Sequence, residues 1–210
     1  MLLNAADRQQ SQNTLVAMDL AFGMLAYAKQ NNLRDDTSIC WLQGDADFLP
    51  MADKSVDLVF SSMALQWSDN QQKVMSEIAP VMTSGSNALL AIMCDGSFEQ
   101  LNDSWQSIDS QRHVNNFGSA ETWYDAAKSQ GLQVTMQQKK YVTWDQDIRQ
   151  LLSSIKSIGA NVLLTSPKSQ SQAIFNRHTL QRLESYYQQK YAENMQLPLT
   201  YQVCFLRCSK

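Results

Sequence analysis

Short apolar runs alternate with helical patterns along most of the chain, and this alternation limits the fold more than any other feature. Thr14-Leu15-Val16-Ala17-Met18 reads as a buried strand ending at Asp19. A helix carrying Met24, Leu25 and Ala28 follows. Ile39 to Leu42 is a second strand, broken by Gly44, and Val56 to Ser61 is a third. Ala88 to Met93 is a fourth, with a helix bearing Val74, Ile78 and Val81 or Met82 in between. Ser68 with Gln71, and Ser97 with Gln100, have the spacing of capping boxes at two helix starts. Repeated strand–helix units imply crossover connections and a mainly parallel sheet, covered on both faces.

The second half changes character. A helix from about Ser119 to Ser129 ends before Gly131, a plausible left-handed terminator. Leu132 to Val142 alternates like an antiparallel strand. Ile148, Leu151, Leu152, Ile155 and Ile158 form a helical stripe, residues 165–172 read as a loop, Thr179 to Ala192 as a helix, and Leu199 to Arg207 as a closing strand. With 210 residues and 44% hydrophobic content, one domain with its own core is expected. A helical insertion on the acceptor side is expected over about 145–195. No apolar stretch reaches membrane-spanning length and no secretory leader is visible, so a cytoplasmic protein is expected. Four Cys without regular spacing argue against a disulfide scaffold, and Cys204 with Cys208 lacks the further ligands a metal needs, so no metal is expected. Charge is unevenly spread: residues 1–138 carry 7 Lys/Arg against 16 Asp/Glu, and residues 139–210 carry 10 against 4. The basic third suits an anionic partner, or is simply a solvated surface. Without a Lys/Arg run, nucleic acid is not expected.

In parallel sheets ligands bind beyond the carboxyl ends of the strands. Asp19 stands at one such end, where a carboxylate accepts from two ribose hydroxyls or caps the following helix. Asp45 follows the next strand, either as an acceptor for an adenine amino group or as a turn residue. Ser61 and Ser62 end the third strand.

These segments, Ala17-Met18-Asp19-Leu20, Gly44 to Pro50 and Val56 to Ser62, resemble class I S-adenosylmethionine-dependent methyltransferases. More narrowly, Ala64-Leu65-Gln66-Trp67, Asp95-Gly96-Ser97-Phe98, His113 to Phe117, Ile155 to Asn161 and Leu197 to Tyr201 resemble the malonyl-acyl-carrier-protein O-methyltransferases of biotin biosynthesis. The resemblance implies a Rossmann-like α/β sheet, mostly parallel with an antiparallel C-terminal strand. It implies S-adenosyl-L-methionine as cofactor and an acyl carrier protein bearing a malonyl thioester as partner. Asp19 and Leu20 would meet the ribose, Asp45 and Ala46 the adenine, and Ser61 and Ser62 the methionine end. Ser62 stands where relatives often carry Asn. Acceptor-site candidates are Gln66 and His113, and a carboxylate substrate also needs a cation, for which Arg149, Lys156, Arg177 and Arg182 are candidates. A structural role for His113, holding the loop before Phe117, is the alternative. A monomer is expected.

The family's first strand and glycine-rich loop have no counterpart before Thr14. There are seven Gly, and no two stand as G-x-G. The chain is therefore expected to be N-terminally incomplete and impaired in cofactor binding, with hydrogen-bonding edges left open on the strands at 14–19 and 56–61. Three other readings stay open: a nicotinamide-dependent oxidoreductase, a non-enzymatic remnant, and a class I methyltransferase for another small carboxylic acid.

Overall fold

In a computed structural model, residues 14–32, 39–109, 113–157 and 177–210 are described. The elements run β1 (Leu15–Asp19), α1 (Phe22–Gln30), β2 (Ile39–Gln43), β3 (Val56–Ser62), a 3-10 turn (Leu65–Trp67) and α2 (Gln71–Val81). They continue with β4 (Met82–Met93), α3 (Glu99–Gln106), α4 (Ala120–Ser129) and β5 (Gln133–Asp145). The last are α5 (Ile148–Ser157), α6 (Arg177–Tyr191) and β6 (Leu197–Ser209). The expected loop at 165–172 lies outside the described residues.

The strands form two sheets. β1 and β2 pair in parallel from Leu15↔Ile39 to Asp19↔Gln43. The other sheet has the order β3-β4-β6-β5, with β3 parallel to β4 and β6 antiparallel to both its neighbours. The mostly parallel α/β sheet with an antiparallel final strand is thus as expected. Among the described residues nothing pairs with the second edge of β1 or the outer edge of β3.

β4 is longer at its start than the apolar run suggested. Val56 pairs with Met82, but Leu58 already pairs with Asn87, so Thr83 to Ser86 bulge out of the ladder. Gly85 sits there at φ +80°, a backbone state that glycine adopts without a Cβ penalty.

Alternation along β4 and β6 divides the core in two. Ala88, Leu90 and Ile92 of β4, with Cys204, Leu206 and Cys208 of β6, pack under α2 and α4 through Val74, Ile78, Trp123 and Ala127. Met93, Leu197 and Leu199 instead join α3, α5 and α6 through Leu101, Trp105, Leu151, Ile155, Leu183 and Tyr187. Coverage of both faces therefore fails at β3. Phe60, 72% exposed, pairs with exposed Leu89, and no described element covers them. The β1–α1–β2 unit is similarly thin. In α1 only Leu25 is buried, while Phe22 is 70% exposed.

Two expected capping boxes do not form. Asn70 caps α2 by accepting from Lys73 N, and Ser68 instead donates to Asp47 Oδ1 at 2.8 Å. Phe98, left-handed at φ 60°, precedes α3. Ser97 accepts from Gln202 N at 2.9 Å, and Gln100 grips Thr200 through both its amide atoms. In both cases a tertiary partner is added to a local bond other than the cap: Ser68 also accepts from Asn70 N, and Ser97 also donates to Cys94 O. Ser119 does cap α4, and Gly131 ends it at φ +77°.

Candidate active site

The carboxyl end of β1 places Asp19 beside the end of β2. Gly44 N donates to Asp19 O at 3.1 Å, so Asp45 follows directly. Closeness here depends on the glycine: a Cβ at Gly44 would stand 2.7 Å from Met18 Sδ and 3.2 Å from Pro50 Cγ. Asp19 Oδ1 accepts from Ala21 N at 2.8 Å, which turns the chain into α1. Asp45 Oδ1 accepts from Asp47 N at 2.9 Å and holds a tight turn closed by Phe48 N on Asp45 O. Each carboxylate thus orders its own loop with one oxygen and keeps the other without a protein partner among the described residues. The helix-start and turn roles and a ligand role are compatible. Leu20 is exposed, and Ala46 packs against the core.

Ser61 and Ser62 lie at the carboxyl end of β3, in the other sheet, opposite Leu90 and Ala91. Their hydroxyls have no partner among the described residues. The two sheets are tied through the segment after Asp45. Asp47 accepts from Ser68, Leu49 N donates to Glu77 Oε2 at 3.0 Å, and Lys73 Nζ lies 4.8 Å from the Phe48 ring. The hydrogen bond from Lys73, which sits a turn away, holds the Glu77 carboxyl below its usual range.

Met63, at φ 55°, turns the chain after β3. Gln66 is 7% exposed and donates through Nε2 to Met63 O at 2.7 Å. Beside it a chain of edge-to-face rings runs Trp67, Phe117, Phe98, Tyr201, with centroids 6.2, 5.8 and 5.2 Å apart. Sequence reasoning missed this wall, because its four rings come from four separate segments. His113 is 3% exposed, stacked on Trp105 at 4.1 Å and bonded to Asp109 Oδ1 at 2.8 Å. Those contacts suit the loop-holding role. Arg149 and Lys156 stand exposed on α5 and Arg177 opens α6, none with an ion-pair partner among the described residues. Among the described residues no group of three His, Cys, Asp or Glu could hold a metal. No described helix is long and apolar enough to cross a membrane.

A methyltransferase domain family matches residues 2–90. The malonyl-acyl-carrier-protein O-methyltransferase of Hamiltonella defensa is 31% identical over 197 residues, 94% of this chain and 72% of that protein. The chain belongs to this family. The malonyl-acyl-carrier-protein O-methyltransferase family also accounts for the similarity to a biotin biosynthesis bifunctional protein of Cellvibrio japonicus. That protein is 31% identical over 196 residues, 91% of this chain and 37% of its own length. In fold, the chain matches the crystal structure of YcgJ from Bacillus subtilis with a TM-score of 0.58, covering 93% of this chain and 81% of that one at 16% identity. Family membership sets aside the oxidoreductase reading.

Proposed function

We propose that the chain catalyses methyl transfer from S-adenosylmethionine to the free carboxylate of a malonyl-acyl carrier protein, in biotin biosynthesis. The observation that carries this, beyond family membership, is the pair of carboxylates at the ends of β1 and β2, each anchored by one oxygen and, among the described residues, free at the other. That arrangement fits the polar edges of a nucleoside. Asp19 would take the ribose hydroxyls and Asp45 the adenine amino group, with Ser61 and Ser62 toward the methionine end. When bound, the cofactor supplies a methyl group on a cationic sulfur.

The acceptor carboxylate is already ionised at pH 7. The chain's residues therefore need not remove a proton, and an enclosed, structural His113 is consistent with this. Their work is to align the acceptor and exclude water. The Trp67–Phe117–Phe98–Tyr201 wall supplies an apolar, water-poor side at the carboxyl end of β3 and β4. One of Arg149, Lys156 and Arg177 would hold the carboxylate. The basic C-terminal third, with exposed Lys139 and Lys140 on edge strand β5, would meet the acidic carrier.

Among the described residues no glycine-lined turn cradles the cofactor's amino-acid end, and two strand edges are open. The same open edges favour, as a second reading, a module that contacts a partner without catalysis. The test is mass spectrometry of malonyl-carrier incubated with S-adenosylmethionine and the chain. A carrier species heavier by one CH2, a methyl replacing the acid proton, supports the proposal. A free dicarboxylic acid esterified while the carrier stays unmodified would point to the other acceptor class. Lys139→Glu with Lys140→Glu should weaken carrier binding and flatten its salt dependence. An unchanged salt slope would remove β5 as the docking edge.

A further inference from the structure

Helix α6 carries a largely exposed polar stripe that faces a groove rather than open solvent alone. His178, Gln181, Arg182, Ser185 and Tyr186 follow an i, i+3, i+4, i+7, i+8 spacing and so share one side of the helix. A helix normally turns an apolar stripe toward its neighbours, and α6 does so elsewhere through buried Leu183 and Tyr187. The polar stripe instead lines an open groove of about 380 Å³, bounded on its other side by Ser107 and Ile108 just past α3.

The lining is rich in donors. Arg182 offers a guanidinium fork, His178 an imidazole, Gln181 an amide and Ser185 a hydroxyl. Tyr186 Oη accepts from Lys190 Nζ at 3.2 Å, which brings a further positive charge close, while its own proton goes to Asp103. Ser107 spends its proton on Ser104 O. No carboxylate is among the described lining residues, and neither Arg182 nor His178 has an acidic partner among the described residues. Nearby acids are engaged elsewhere, Asp103 by Lys190 and Tyr191, and Asp109 by His113. An unpaired guanidinium and neutral donors around a space many times a water's ~30 Å³ share select an oxyanion carried on a chain.

We propose that this groove binds a phosphate ester, and that its source is the phosphate within the prosthetic arm of the carrier protein. The assignment of the source rests on the carrier reading above. Calorimetry of the 210-residue chain with phosphopantetheine, pantetheine and inorganic phosphate tests it. Phosphopantetheine should bind at least about tenfold more tightly than pantetheine. Arg182→Gln should bring that ratio close to one and leave pantetheine affinity and the melting midpoint unchanged. Arg182→Lys should keep part of the ratio, since it retains charge but loses the fork. Should Arg182→Gln melt early, Ser185→Ala gives the same readout from a smaller change.

Equal binding of the phosphorylated and unphosphorylated arms overturns the proposal, as does a ratio that survives Arg182→Gln. Inorganic phosphate binding as tightly as phosphopantetheine would make this a free-anion site and overturn its assignment to the arm. The carrier reading fails separately. A carrier that is methylated while the ratio is one refutes the groove alone. A ratio that holds while the carrier is never methylated supports the phosphate-ester site and refutes its source.

Discussion

Asp19 and Asp45 each serve two masters. One oxygen holds the local turn, through Ala21 N and Asp47 N, and the other has no partner among the described residues. Replacing either by Asn retains an acceptor for the turn but removes the charge. Hydrogen bonds to charged groups contribute roughly 1.5–3 kcal/mol, so each substitution should weaken S-adenosylhomocysteine binding by about tenfold or more, read by calorimetry, with little change in melting temperature. A drop in stability without a loss of affinity would show that only the turn role is real. Lys210 is a different kind of residue. Its Nζ donates to Ala79 O at 2.7 Å, Met82 O at 2.8 Å and Pro80 O at 3.2 Å. These carbonyls stand at the end of α2 and the start of β4, where intrahelical donors run out, and Pro80 O also accepts from Lys54 N at 3.0 Å. Lys210→Met should cost about 1 kcal/mol, seen as a lower urea midpoint at an unchanged slope. None of this was visible in the sequence, since a lysine and a helix end about 130 residues apart share no pattern.

At the scale of elements, the register matters most. Met93, the last residue of β4, pairs with Val203, yet β5 and β6 go on pairing to Asp145↔Leu197. The two strands thus overhang the carboxyl edge of β4, and α3, α5 and α6 pack on that overhang. Tyr187 donates to Pro198 O at 2.6 Å there, and burial pushes its phenol above the ordinary range. α3 and α6 are joined by Lys190 and Tyr191, both on Asp103 Oδ2. The hydrogen bond from Lys190, with that from Tyr191, holds the Asp103 carboxyl below its ordinary 3.8. A carboxyl with a lowered folded-state pKa contributes stability above its unfolded pKa and loses it as pH falls through the folded one. Melting midpoints of the wild type and Asp103→Asn should therefore differ near pH 6 and converge below pH 3.8. A constant difference across that range would exclude the ion pair as the cause. The strand and helix positions were legible because apolar periodicity is local. The caps were not. Ser97 and Gln100 have capping-box spacing, but their partners are Gln202 and Thr200, on a strand about a hundred residues away.

The whole molecule is uneven. The four-stranded sheet has a core under α2 and α4 and a second one under α3, α5 and α6. The β1–β2 pair has neither, and its helix leaves Phe22, Met24 and Tyr27 exposed. Two-stranded sheets are marginal without packing, and parts of a protein with few buried contacts open first. Amide hydrogen exchange should therefore be faster over 39–43 than over 88–93 by orders of magnitude. Equal protection would mean that β1 and β2 are held by something stronger than the Asp47–Ser68 and Leu49–Glu77 bonds.

Local pattern was enough to declare the alternating α/β architecture, the strand ends and the acidic residues standing there, because periodicity and turn chemistry act over a few residues. The family likeness rested on short peptides in order and needed no coordinates. What required the folded chain was everything set by distant partners. The division into two sheets, the overhanging β5–β6 pair, the aromatic wall and the donor-lined groove each bring together groups from separate segments, and no rule of spacing along a chain encodes which distant surfaces will meet.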